Sequence, residues 1–253
     1  MKIFLDTEFI EGWKKPIKWL PTIGKLNKPY HSIQLISIGL VSDDGREYYA
    51  ISNEFNPADS NDWVRENVLR PIYNQLLSKE RYAREYHPNL VEPFTDRTLK
   101  NLLKWNGRTN YQIANDILLF IYDPDESGLK SWLGLTENYF KHLKLIAKTS
   151  DKPEFYAYFS DYDWVLFCSL FGTMMDLPKS FPMYCVDLKQ QLDETLERNP
   201  MGYKWGDIIG NESKLDYVKR RGDYPKQDNA HNALDDAKWN AKLYQFIQNL
   251  NNQ

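Results

Sequence analysis

The sequence has few of the residues that characterise extracellular and membrane proteins. Its 253 residues include only two cysteines, Cys168 and Cys185, which excludes a disulfide framework or a cysteine-rich zinc cluster. No apolar run approaches the roughly 18 residues of a membrane-spanning helix, and the apolar stretch at the N-terminus is too short for a signal peptide. We therefore expect a soluble, cytoplasmic protein with no membrane partner.

The sequence also lacks an excess of basic residues. The formal net charge is -3 and the isoelectric point is near 5.9, so any binding of nucleic acid must be local. The densest basic stretch, residues 214–226, interleaves five lysines and arginines with acidic residues and with Tyr217 and Tyr224. Such a run is most often a solvated charged face. The alternative is a strip that follows a nucleic-acid backbone.

The pattern of apolar residues predicts an α/β fold. Strand-like runs occur at residues 2–5, 34–42, 46–52, 154–159 and 183–186. Helical patterns occupy parts of residues 53–150, with a helix start at Thr109, and then residues 163–171 and 229–250. This order predicts a mixed sheet with an antiparallel three-stranded start and parallel additions, flanked by helices in one domain spanning residues 1–253.

Two carboxylates follow the first predicted strand. Asp6 and Glu8 lie in the tetrapeptide DTEF, directly after the apolar run. Residues i and i+2 of a strand point to one face and lie about 6.5 to 7 Å apart, so these carboxylates would form part of a site for a hard cation. The pattern is common by chance and needs partners elsewhere in the chain.

Further acidic residues occur where two helices are predicted to begin. Asp163 lies in SDYDW after the strand at 154–159, with Asp161 as a candidate N-cap, and His231 and Asp236 lie in HNALDDA at the start of the last helix. Taken singly, capping and the helix dipole explain these carboxylates.

Taken together, these residues resemble the DEDDh family of 3'-5' exonucleases, relatives of ribonuclease T and oligoribonuclease on the ribonuclease H-like fold. A closer resemblance is to the mycobacterial-type polyadenylate-specific 3'-5' exoribonucleases. It covers DTEFI, EFNPADSNDWVRENVL at residues 54–69, YDWVLFCSLFG with the following MDLP and DL at residues 162–188, and the last helix. Relative to those compact enzymes, the segments at about 70–110 and about 125–150 resemble insertions.

The resemblance implies a two-metal hydrolase. It assigns two Mg²⁺ ions, with Mn²⁺ as a substitute, to the carboxylates of Asp6, Glu8, Asp163 and Asp236. It makes His231 the general base, because neutral imidazole can accept a proton from water near neutral pH. Phe9 and Trp164 are candidates for stacking on the terminal bases.

The expected function is therefore metal-dependent 3'-5' exonuclease activity on single-stranded nucleic acid, with RNA favoured. A DNA exonuclease and a small-nucleotide phosphodiesterase remain alternatives on the same residues. A catalytically silent nucleic-acid-binding module is a third alternative, and the presence of all five catalytic side chains argues against it. Related nucleases are often dimers, so a homodimer is a further expectation.

Overall fold

The computed structural model describes residues 1–17, 19–23, 25–83, 93–122, 152–198, 202, 213–227 and 229–252. The insertion expected at residues 125–150 lies outside these ranges. Within them, no helix is both long enough and apolar enough to cross a membrane.

The centre of the fold is a five-stranded mixed sheet with the strand order β3-β2-β1-β4-β5. The strands are β1 (Lys2–Lys14), β2 (Tyr30–Ser42), β3 (Glu47–Ile51), β4 (Glu154–Ala157) and β5 (Val186–Asp187). β4 runs parallel to both β1 and β5. A tight turn joins β2 to β3, where the backbone N–H of Ser42 donates to Arg46 O at 3.0 Å. The predicted α/β class with a mixed sheet is confirmed.

The first strand is much longer than its apolar run predicts. The sequence places its end at residue 5, whereas β1 continues to Lys14 and contains both Asp6 and Glu8. β1 pairs with β4 from Lys2 to Phe4. It is also a hydrogen-bonded neighbour of β2 in the sheet, so it has a second pairing partner. A similar shift moves the strand predicted at 183–186 to Val186–Asp187.

Helices flank the sheet. They are α1 (Asp62–Val64), α2 (Arg70–Ala83), α3 (Asp96–Asn106), α4 (Asn110–Tyr122), α5 (Asp161–Phe171), α6 (Leu188–Arg198), α7 (Lys214–Lys219) and α8 (Ala233–Asn251). Thr109 caps α4 as predicted, since its hydroxyl accepts from the Gln112 N–H at 3.2 Å. Asp161 is the first residue of α5 and Ser160 is its N-cap, so the predicted N-cap is one residue too late.

A proline that should end a helix instead follows a π-helical turn. The turn, Arg65–Leu69, joins α1 to α2, and the Arg70 N–H donates to Arg65 O five residues earlier. Pro71 lies two residues after the last residue of this turn and has no N–H to donate. The wider π turn changes the hydrogen-bonding register just before the proline. The sequence pattern indicates separate helical segments at residues 62–72 and 74–83, whereas the structure joins them without a break.

The contacts within the chain define two compact units. One comprises Met1–Asp6, Gly39–Tyr49 and Asn115–Gln253, and the other comprises Thr7–Ile38 and Ala50–Ala114. In the first unit, Phe4 and Tyr156 of the sheet share a buried apolar cluster with Phe246 and Ile247 of α8. In the second unit, α2 packs against α3, which buries Leu99 and Leu103. The single domain inferred from the sequence stays a prediction.

Candidate metal centre

The alternation of β1 places Asp6 and Glu8 on the same face as Phe4. The ring of Phe4 packs against the ring of Tyr244 on α8, with 5.4 Å between the ring centroids. The face that carries the two carboxylates therefore turns toward α8.

Two close contacts hold α8 against the sheet. The side-chain amide of Asn240, which is almost fully buried, donates to the backbone carbonyl of Leu5 at 2.9 Å. Gly39 of β2 meets the first turn of α8 so closely that a Cβ at this position would lie 2.2 Å from Ala233 O. The first turn of α8 can approach β2 only because residue 39 lacks a side chain.

These contacts bring Asp236 to the carboxylates of β1. Asp236 lies one turn before Asn240 on the same side of α8 and is only 7% exposed. Carboxylate oxygens of Asp6, Glu8 and Asp236 all lie within 4.8 Å of one another. Three oxygen donors at this spacing could share a divalent cation, and the all-oxygen donor set suits Mg²⁺ better than Zn²⁺.

The surroundings of Asp236 act on its ionisation in opposite directions. Burial raises the pKa of the Asp236 carboxyl because the charged form loses solvation. Hydrogen bonds from the Gln227 side chain and from the backbone N–H of His231, the latter at 2.9 Å, lower it. The net effect is a pKa raised above the usual value for aspartate.

His231 lies just before α8, because the helix begins at Ala233 and not at the predicted residue 229. The N-cap of the helix is Asn232, whose side-chain oxygen accepts from the backbone N–H groups of Leu234 and Asp235. His231 itself is exposed and adopts a left-handed backbone conformation with φ of 70°. In this conformation its backbone N–H is bonded to Asp236, while its side chain is accessible from solvent.

Asp163 occupies the first turn of α5 and is buried, whereas Asp161 in the same turn is exposed. Asp163 is not part of the three-carboxylate cluster of the described residues. It lies near Cys185, whose thiol pKa is raised by burial and further by the charges of Asp163 and Asp187. Three of the four predicted metal ligands are therefore brought together here, and the fourth lies at the start of α5.

The two predicted base-stacking residues differ in their surroundings. Trp164 is buried, its indole is stacked on Phe167 at 5.1 Å, and its ring N–H donates to Met183 O. Phe9 is partly exposed and lines a cavity of about 350 Å³ together with Glu8 and Trp63. Trp63 is 53% exposed and is not among the site residues predicted from the sequence. Its place two residues after the cap Asn61 is visible in NDWV, but nothing in that pattern links it to Glu8.

The basic stretch at residues 214–226 has the features of a solvated face. Lys214 pairs with Glu197 at 2.8 Å, and Arg221 pairs with Asp223 at 2.7 Å. Tyr217 and Tyr224 pack against the core of the first unit rather than projecting from the surface. These contacts favour the charged-face interpretation over a strip that binds nucleic acid.

The chain is similar in sequence to two proteins named for an enzymatic activity. No family model matches the chain. Two curated proteins from different strains of Mycobacterium tuberculosis, each named a 3'-5' exoribonuclease, are 29% identical to it over 190 residues. The aligned region covers 75% of this chain and 73% of each relative. The chain is thus similar, over most of its length, to proteins named for the removal of nucleotides from RNA 3' ends.

Proposed function

We propose that this protein is a metal-dependent 3'-5' exoribonuclease that acts on single-stranded RNA. The observation that carries the proposal is the cluster of Asp6, Glu8 and Asp236 carboxylates within 4.8 Å. The similarity to two proteins named 3'-5' exoribonuclease supports the choice of RNA and of its 3' end. In the reaction, water attacks the terminal phosphodiester and the P–O3' bond breaks. A nucleoside 5'-monophosphate leaves, and the shortened strand keeps a 3'-hydroxyl.

The carboxylates would hold two Mg²⁺ ions, for which Mn²⁺ can substitute. Asp6, Glu8 and Asp236 supply oxygen ligands at suitable spacing, and Asp163 at the start of α5 is the proposed fourth ligand. When bound, such ions polarise the phosphoryl oxygen, acidify water and stabilise the departing oxygen. The three clustered carboxylates suit a bound cation because they would repel one another without one.

His231 is the proposed general base. Its side chain is exposed, so it can receive a proton from the attacking water, and its backbone N–H fixes the orientation of the Asp236 carboxylate. The left-handed conformation of His231 allows one residue to present its backbone to Asp236 and its imidazole to solvent. The turn geometry therefore ties the base to one of the proposed metal ligands.

Phe9 is the proposed contact for the terminal base. It follows Glu8 directly in β1 and lines the cavity that also contains Glu8 and Trp63. Aromatic side chains bind single-stranded bases by stacking, with little dependence on sequence. Trp164 packs in the core, so Phe9 is the residue that we propose for stacking on the terminal base.

The test compares two adjacent aspartates, of which only Asp236 belongs to the carboxylate cluster of the described residues. Asp236→Asn removes one carboxylate of the cluster, whereas Asp235→Asn changes the neighbouring residue, which accepts from Asn229 at 2.7 Å. With 5'-labelled single-stranded RNA and Mg²⁺, we expect the wild-type protein and Asp235→Asn to give a descending ladder of products. We expect Asp236→Asn to lose at least about 100-fold in kcat, the scale of a lost electrostatic contribution.

Parallel reactions decide between substrates. Single-stranded DNA of the same sequence and dinucleotides are incubated under identical conditions, with Mg²⁺ and with Mn²⁺. Absence of RNA shortening with either ion would refute the proposal. Faster hydrolysis of DNA than of RNA would indicate a DNA exonuclease that uses the same residues. Cleavage restricted to dinucleotides would indicate a small-nucleotide phosphodiesterase.

A further inference from the structure

The segment from the end of β1 through β2 has an unusual charge composition. From residue 12 to residue 42 the sequence contains five lysines and no aspartate or glutamate, although average composition would place about four acidic residues there. We call the described residues of this segment, 13–17, 19–23 and 25–31, the hairpin arm. Lys15, Lys25 and Lys28 in the arm are exposed, whereas Lys14 is paired with Asp59 at 2.8 Å. The arm is thus a basic surface in a chain whose net charge is negative.

The hairpin arm also exposes large apolar side chains. Trp13 is 74% exposed and Trp19 is 84% exposed. The other exposed members of this group are Ile17, Ile23, Leu26 and Tyr30. Isolated exposed apolar residues are ordinary, but six of them within 18 residues indicate a surface that binds something.

A buried asparagine organises the arm. Asn27 is only 7% exposed and has a left-handed φ of 54°. Its side chain accepts from the Ile17 N–H at 2.8 Å and donates to Ile17 O at 2.9 Å and to Leu20 O. Ile23 and Leu26 form a backbone bridge across the turn before it. The exposed tryptophans and lysines are therefore displayed by a segment with its own hydrogen-bonded structure.

The arm continues directly from the strand that carries the carboxylates. Trp13 lies five residues beyond Glu8 in β1, which corresponds to roughly 17 Å along the strand. Two cavities lie along this part of β1 and share Ile10. The first contains Glu8 and Phe9, and the second, of about 330 Å³, contains Trp13 and Lys15. A strand with its 3' end at Glu8 could follow β1 toward the arm.

We propose that the hairpin arm is a second contact surface for single-stranded RNA, which binds the strand upstream of its 3' end. This inference rests on the proposed exoribonuclease function, because it assumes that an RNA 3' end lies at the carboxylates. Exposed lysines complement the phosphates, and exposed tryptophans offer stacking platforms for bases. Basic residues interleaved with aromatic residues are the combination that binds single strands without sequence preference. The arm would favour long substrates over short ones.

The test compares two matched sets of lysine substitutions. In the arm variant, Lys15, Lys25 and Lys28 are changed to Gln, and in the control variant the exposed Lys152, Lys179 and Lys242 are changed to Gln. Affinity for a fluorescent 20-nucleotide single-stranded RNA is measured by anisotropy in EDTA across a range of salt concentrations. We expect the arm variant to bind about ten-fold more weakly and its log–log salt slope to fall by about 2. The control variant keeps the wild-type slope.

A second pair of measurements separates binding by the arm from catalysis. The KM for the 20-nucleotide RNA should rise in the lysine arm variant and in Trp13→Ala/Trp19→Ala, while kcat/KM for a dinucleotide stays at the wild-type value. Asn27→Ala, which removes the hydrogen bonds that order the arm, should reproduce the change in KM. Melting temperatures measured alongside show whether any variant is globally unfolded.

The outcomes distinguish this inference from the proposed function. If wild-type protein shortens RNA but the arm variants bind and cleave the 20-nucleotide RNA normally, the inference is wrong and the proposed function stands. If wild-type protein shortens no RNA, the proposed function fails, and an arm-dependent affinity in EDTA would still support RNA binding by the arm. Arm-dependent binding to vesicles of phosphatidylcholine and phosphatidylserine, or arm-dependent dimerisation, with RNA affinity unchanged would overturn the inference.

Discussion

Replacing Gly39 by alanine should damage the candidate metal centre without touching any of its carboxylates. The new Cβ would lie 2.2 Å from Ala233 O and 2.4 Å from Leu234 N, both of which belong to the backbone at the start of α8. A backbone neighbour cannot rotate away as the end of a flexible side chain can. The first turn of α8, which carries Asp236, must therefore move.

The size of the movement follows from ordinary contact distances. To restore a carbon–oxygen separation near 3.4 Å, the start of α8 must shift by about 1 Å, since contacts of roughly 3.5 Å are optimal for non-bonded atoms. Overpacking of this kind costs typically about 1–3 kcal/mol in the free energy of unfolding, which lowers Tm by roughly 2 to 12 °C in a chain of this size. A misplacement of about 1 Å in a catalytic constellation can reduce turnover by about 100-fold.

The assay separates loss of stability from loss of geometry. Turnover of single-stranded RNA is measured at least 15 °C below the Tm of the variant, so that the folded fraction is complete, and Tm is followed by circular dichroism. Gly12→Ala is the matched control, because a Cβ at residue 12 meets nothing within 4 Å. Wild-type turnover and Tm in Gly39→Ala would refute the close approach of α8 to β2. A lower Tm with wild-type turnover would refute its importance for the site.

Two further predictions concern single carboxylates. Because burial raises the pKa of Asp236, ionisation of this group costs folding stability as pH rises through its folded-state pKa. In EDTA, Asp236→Asn should therefore raise Tm at pH 7–8 and have less effect at pH 4, and an unchanged Tm at both pH values would contradict this. For α5, Asp163→Asn should abolish RNA turnover while Asp161→Asn leaves it near wild type, since Asp163 is buried and Asp161 is exposed. The opposite ranking in steady-state kinetics would show that the wrong aspartate has been assigned.

Much of the fold follows from local sequence signals. The mixed sheet, the cap at Thr109 and the placement of His231 near the start of the last helix all depend on residues close together in the chain. The length of β1 does not, because its polar second half is stabilised next to β2 rather than by an apolar run. The continuity of α1 and α2 was not predicted either, because the sequence pattern indicates two separate helical segments and gives no signal for the π turn that joins α1 to α2.

The sequence indicated the clustered carboxylates of the candidate site but not the residues that hold α8 against the sheet. Asp6, Glu8 and Asp236 were named from the sequence, and their carboxylates lie together. Asn240 was not named, because a polar residue on an otherwise apolar helix face has no visible partner until Leu5 O is located beside it. Gly39 offered a usable signal, since a glycine inside the strand QLISIGLVS often marks a close approach of another backbone.

The alternating geometry of β1 restricts where the chain can change in length. Inserting one residue between Phe4 and Asp6 would turn both carboxylates to the opposite face of the sheet, away from Asp236. Inserting two would restore the face but displace the carboxylates by about 6.5 to 7 Å along the strand, too far to share a cation with α8. Within β1, insertions and deletions are therefore tolerable only beyond Glu8, and the residues that follow Lys14 can be gained or lost without displacing the carboxylates.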